Sequence, residues 1–102
     1  MKVVINVCFG GFSLSEAVYK ELGIKYDGYG YLSNEDLGIF SDNYNAYRSD
    51  PRLINAIEKV GIENSGGGCA KLSIVDIPEG ISWEIDEYDG NESVEEAHRS
   101  WR

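Results

Sequence analysis

Apolar residues alternate along the opening of the chain. Val3, Ile5, Val7 and Phe9 fall on one side of an extended segment, and Val4, Asn6 and Cys8 on the other. Both sides are mostly apolar, which predicts an interior strand over residues 2–9. Gly10-Gly11 breaks the alternation. Ser13-Leu14-Ser15-Glu16 then fits a capping box, in which Ser13 and Glu16 each satisfy a free backbone amide. Leu14, Ala17, Val18 and Leu22 recur at helical spacing and Gly23 stops them, predicting a helix over 14–22.

A second helix is better marked. Asp50 is its cap, Pro51 opens the first turn, and Leu53, Ala56, Ile57 and Val60 form its apolar stripe up to Gly61. Residues 71–77 and 81–88 read as strands, and Pro78-Glu79-Gly80 is turn chemistry that predicts an antiparallel hairpin between them. In the later strand Ile81, Trp83 and Ile85 point one way, and Ser82, Glu84, Asp86 and Tyr88 the other. Asp89-Gly90-Asn91-Glu92 reads as the start of a third helix over 91–101, with Val94, Ala97, His98 and Trp101 as its stripe. The expectation is a single α+β domain over residues 1–102. It has a small three-stranded sheet with an antiparallel C-terminal hairpin, and about three helices mainly on one face.

Between the first two helices the pattern lapses. Five of the seven tyrosines, Tyr26, Tyr29, Tyr31, Tyr44 and Tyr47, lie in residues 24–49 among Gly, Asn, Asp and Ser. A long irregular segment is expected there, with one short helical turn near Ser33–Leu37. Residues 63–68 read as a flexible connection.

Charge changes the picture more than composition does. The 102 residues carry a formal net charge of −9. Residues 1–71 hold nine acids and seven bases, whereas residues 72–102 hold nine acids and two bases. No base lies between Lys71 and Arg99. Such a chain repels nucleic-acid phosphates and anionic membranes, and suits a basic protein surface. No apolar run approaches the length of a membrane span, and the opening segment reads as a strand rather than a signal peptide. Two cysteines without ligand spacing are expected to be reduced thiols. Residence in the cytoplasm of a host bacterium follows as an expectation. The sequence does not set the oligomeric state, and leaves a homodimer open.

The opening Val3-Val4-Ile5-Asn6-Val7-Cys8-Phe9-Gly10-Gly11-Phe12-Ser13-Leu14-Ser15 resembles that of small proteins of bacteriophage and bacterial genomes. The ending, Glu87-Tyr88-Asp89-Gly90 with His98-Arg99-Ser100-Trp101, is similar to theirs too. The resemblance covers about a third of the chain. It implies a phage or prophage context and carries no activity with it.

Four sets of residues are candidates for function. The first is a partner-binding surface made by Glu84, Asp86, Glu87, Asp89, Glu92, Glu95 and Glu96. Glu84 and Asp86 would stand roughly 6.5–7 Å apart on one strand face, near the spacing of successive phosphates. An ordered array of that kind fits a basic groove built for nucleic acid, although a solvated acidic face is the simpler meaning of such a run. The second is the tyrosine-rich segment, with Tyr29, Tyr31, Tyr44 and Tyr47 as contacts. Tyr among Gly, Ser and Asn is the composition of binding loops, and equally of a small core's cover. The third is a small-ligand alternative, a nucleotide phosphate held by Gly10, Gly11, Ser13 and Ser15 at a strand–helix turn. The P-loop lysine is missing there, and a plain tight turn explains the glycines. The fourth is His98 with Cys8. His98 is explained as well by packing beside a core edge or by a place at a helix end, and Cys8 as a small buried apolar group, so no catalytic residue is assigned. The acids match no calcium loop, and neither metal nor cofactor is expected. The expected function is a non-catalytic inhibitor or adaptor, of counter-defence type, acting on a basic nucleic-acid-binding protein.

Overall fold

The structure, a computed structural model, describes residues 1–96 and 99–101. In chain order it has β1 (Lys2–Asn6), α1 (Glu16–Leu22), α2 (Pro51–Val60), β2 (Leu72–Asp76), β3 (Glu84–Tyr88), β4 (Asn91–Glu96) and β5 (Arg99–Trp101). Short 3-10 turns occupy Glu35–Leu37, Ala46–Ser49 and Ile62–Asn64. The α+β class holds.

β1 is buried on both faces, as its apolar pattern requires. It ends at Asn6 rather than at residue 9 and pairs with β2 alone, so it is not the interior strand of a sheet. Val3, Val4 and Ile5 are fully buried. Val4 joins Leu14, Val18, Leu53, Ile57 and Leu72 in one cluster, beneath the two helices. Val3 and Ile5 join Val75, Ile77 and Val94 in another. The strand therefore separates two apolar clusters, one shared with the helices and one shared with the C-terminal sheet.

The single three-stranded sheet is replaced by two sheets. β1 pairs antiparallel with β2, from Lys2 opposite Asp76 to Asn6 opposite Leu72, and β3-β4-β5 form a separate antiparallel sheet. The expected hairpin between residues 71–77 and 81–88 is not formed. Pro78-Glu79-Gly80 is a turn, but Ile81 and Trp83 beyond it pack on the Val3/Ile5 cluster instead of pairing with β2. The Trp83 carbonyl accepts a hydrogen bond from Asn43 Nδ2 at 3.1 Å. The chain thus crosses from one sheet to the other before β3 begins.

The expected third helix over 91–101 is also overturned, because this stretch contains β4 and β5. Asp89 and Gly90 have φ of 50° and 86°. Two successive positive φ values make the two-residue loop that lets Tyr88 pair with Asn91, and they exclude a helix start. β4 then alternates, with Glu92 and Val94 buried and Ser93 and Glu95 only half-buried. Ala97 and His98 lie outside the described residues.

The helix ends divide. α2 is capped as expected: the Asp50 carboxylate accepts from Arg52 N at 2.9 Å, and Pro51 sits in the first turn. α1 starts at Glu16 with Ser15 as its cap residue, without a side-chain cap bond. The Ser13–Glu16 capping box is therefore absent. Leu14 forms a bridge to Gly66, which carries residues 13 and 14 along a neighbouring segment rather than into the helix.

Candidate interaction surface

The C-terminal sheet is tied to the body of the protein by a buried arginine. Arg48, on the Ala46–Ser49 turn, is 4% exposed, and Glu92 on β4 is 5% exposed. Nη1 donates to Glu92 Oε1 at 2.8 Å and Nη2 to Oε2 at 3.0 Å, a two-pronged fit of guanidinium to carboxylate. Nε donates to the Tyr47 hydroxyl at 2.9 Å, and the Asn6 amide donates to Glu92 Oε1 at 2.8 Å. The guanidinium carbon lies 3.5 Å from the Phe12 ring centroid and 5.3 Å from that of Tyr47. Every charged atom is matched, so the pair can stay in the core.

Beside it, Asn6 is fully buried and also saturated. Its Nδ2 donates to the carbonyls of Gly90 and Cys8, and its Oδ1 accepts from Lys71 N. Gly90 packs so closely on Gly10 and Gly11 that a Cβ there would strike their backbone. The hairpin turn is therefore held against the opening strand by backbone contact and by one carboxamide.

This arrangement sorts the predicted surface residues. Glu84, Asp86, Glu87 and Asp89 are exposed, and Glu95 and Glu96 are half-buried. Glu92 and Tyr47 are buried in the arginine site and do not belong to the surface. Strand alternation explains the difference. Glu84, Asp86 and Tyr88 line one face of β3, opposite Glu95, Ser93 and Asn91 of β4, whereas Glu92 shares the inward face with Val94. Glu95 is oriented by the Ser93 hydroxyl, which donates to its Oε1 at 2.8 Å. Asp76 and Glu79, the first two acids of the base-free stretch, both pair with the Met1 amino group at 3.2 Å.

One shallow groove is lined by Asp42, Tyr44, Asn45, Trp83, Glu84 and Ile85. It brings the tyrosine-rich segment against the start of the acidic strand. Tyr44 is 88% exposed there. Tyr29 and Tyr31 are also exposed, but sit on another turn. Their rings stack at 6.0 Å and 8°, above a loop closed by the Asp27 carboxylate, which accepts from the amides of Tyr29, Gly30 and Tyr31. These amides, Gly30 first, hold the Asp27 carboxyl below its usual range. Gly30 has φ of 85° and lies against the backbone of Leu14, where no side chain fits.

The Gly10-Gly11 turn does not run into a helix. Four residues separate it from α1, and Gly90 packs against its backbone while Gly10 stays exposed and Gly11 half-buried. Ser13 lies against Gly67, and Ser15 Oγ is buried without a hydrogen-bond partner. Cys8 is half-buried rather than buried, and its thiol donates to the Cys69 carbonyl at 2.7 Å. Neither cysteine is in a disulfide. Among the described residues no cluster of His, Cys, Asp and Glu could hold a metal ion, and no helix is long and apolar enough to cross a membrane.

Sequence reasoning missed Arg48, Asn6, Phe9 and Phe12. Phe9 is 68% exposed, and packs edge to face on Tyr88 at 6.5 Å. Its alternation with Val3, Ile5 and Val7 is the one sequence signal, and it points inward. Comparison with protein-family models, with curated proteins and with solved structures returns no match.

Proposed function

We propose that this chain is a non-catalytic binding protein of phage type that docks on a basic, nucleic-acid-binding protein surface and blocks or bridges it. The observation that carries this reading is the groove in which Asp42 and Glu84 flank Tyr44 and Trp83. It joins negative charge to exposed aromatic area, the combination from which affinity for a cationic surface is built. The outward face of β3 continues the charge from Glu84 to Asp86. Attraction of that kind speeds encounter and weakens as salt screens it.

The test is capture from bacterial lysate by the wild-type chain and by Glu84→Lys/Asp86→Lys, followed by affinity measurement on the captured protein. The wild type should hold a basic partner whose dissociation constant rises at least tenfold between about 50 and 500 mM salt. The double variant should lose it. A tight partner indifferent to both changes would sink the proposal. Thermal melting against a nucleotide panel is the companion measurement. It should show no shift, because the Gly10-Gly11 turn does not lead into a helix N-terminus whose free amides would hold a phosphate.

A further inference from the structure

The buried arginine site is assembled from three groups. Phe12 and Tyr47 meet edge to face at 6.2 Å and 66°, and Glu92 supplies the carboxylate. The same three groups recur on the surface. Phe9 and Tyr88 meet edge to face at 6.5 Å and 77°, and Asp86 lines the same concavity together with Asn91 and Ser93. Here all three principal groups are exposed. Neither the Asp86 carboxylate nor the Tyr88 hydroxyl has a partner among the described residues.

We infer that the notch between Phe9, Tyr88 and Asp86 is a receptor for an arginine side chain of the bound partner. This rests on the proposed docking to a basic surface and names the point where one guanidinium enters. The interior supplies the precedent, since an aromatic corner and a carboxylate there hold Arg48 by stacking and a two-pronged hydrogen bond. An arginine can stack its plane on a ring and place its fork on a carboxylate at once. A lysine ammonium, more strongly hydrated and without a plane, gains less from the ring. The net charge of −9 favours a cation over any other occupant. Two exposed aromatic rings against each other also leave apolar area that the alkyl stem of an arginine can cover.

The notch can be probed before a partner is in hand. Capped Gly-Arg-Gly and Gly-Lys-Gly peptides are titrated into the protein, with the ring resonances of Phe9 and Tyr88 and the arginine methylene protons followed by NMR. The arginine peptide should move both rings, and its methylenes should shift upfield under the ring current. The lysine peptide should bind about two- to fivefold more weakly. Phe9→Leu, Tyr88→Ala and Asp86→Asn should each weaken the arginine peptide by a similar factor, with melting temperatures close to wild type because all three side chains are exposed. Phe9→Leu keeps apolar bulk while removing the ring, so a loss there reads stacking rather than folding.

Absence of ring shifts would overturn the inference. So would equal binding of the two peptides that survives Phe9→Leu, because that pattern is charge alone. With the captured partner the two proposals separate. Binding that depends on salt and on Glu84 but ignores Phe9→Leu keeps the acidic surface and discards the notch.

Discussion

Arg48 keeps its charge inside the protein because Glu92, the Tyr47 hydroxyl and the Val4 carbonyl take its donors while Phe12 covers its plane. Removing one partner leaves the other charge buried and unmatched. Glu92→Ala should therefore cost about 3–5 kcal/mol in chemical denaturation. Arg48→Met/Glu92→Leu should lie closer to wild type than either single change, and a strictly additive cycle would show that the pair is not coupled. Asp27 allows a second test. Its carboxyl is held low by the amides of Gly30, Tyr29 and Tyr31, so its contribution is present above the ordinary carboxylate range and is lost as pH falls through its own lowered value. The near-ultraviolet signal of the stacked Tyr29 and Tyr31 should persist at neutral pH and fade only in acid below the ordinary carboxylate range. In Asp27→Asn that transition should vanish. Neither site could be read from the sequence in full. Glu92 looked like one more acid in a base-free run, and Arg48 stood alone in a polar segment. Only the strand that aims Glu92 inward and the distant turn that brings Arg48 to it make them a pair.

At the level of elements, β1 and α2 were legible because each carries its own signals. β1 is apolar on both faces, and α2 has a cap, a proline at its first turn and a stripe. Asp50→Ala should accordingly lower stability by about 1 kcal/mol, through the lost bond to Arg52 N. The C-terminal third was misassigned because Val94, Ala97, His98 and Trp101 satisfy a helical period while Glu92 and Val94 satisfy a strand period. Asp89-Gly90 decides between them, since a dipeptide with two positive φ values closes a hairpin and cannot open a helix. Gly90→Ala meets both the φ of 86° and the backbone of Gly10 and Gly11, and should cost more than about 2 kcal/mol. Asp89→Gly relaxes the positive φ without touching a neighbour and should stay within about 0.5 kcal/mol of wild type by the same denaturation assay. Two variants of equal stability would mean that the turn is not what holds β3 against β4. Ser13 and Glu16 failed as a capping box for a related reason: long-range pairing of Leu14 with Gly66 outweighed a local signal.

Across the whole molecule the acidic excess works against the fold it sits on. Glu84 pairs in register with Glu95, two like charges on one face of a two-stranded contact, and Asp86 lies one step further along the same face. Cross-strand repulsion of this kind costs a few tenths of a kcal/mol and is relieved by salt. Glu84→Lys turns the repulsion into attraction. It should stabilise the chain by about 0.5 kcal/mol and raise the melting temperature by about 2–4 °C at low salt, with the gain shrinking as salt is added. The same substitution should weaken the captured basic partner, because it places a cation at the edge of the groove shared with Tyr44. Opposite signs in the two measurements are what a binding surface maintained at the expense of stability requires. If melting temperature rises while partner affinity is unchanged or improved, the acids of β3 are a solvated face and the partner binds elsewhere.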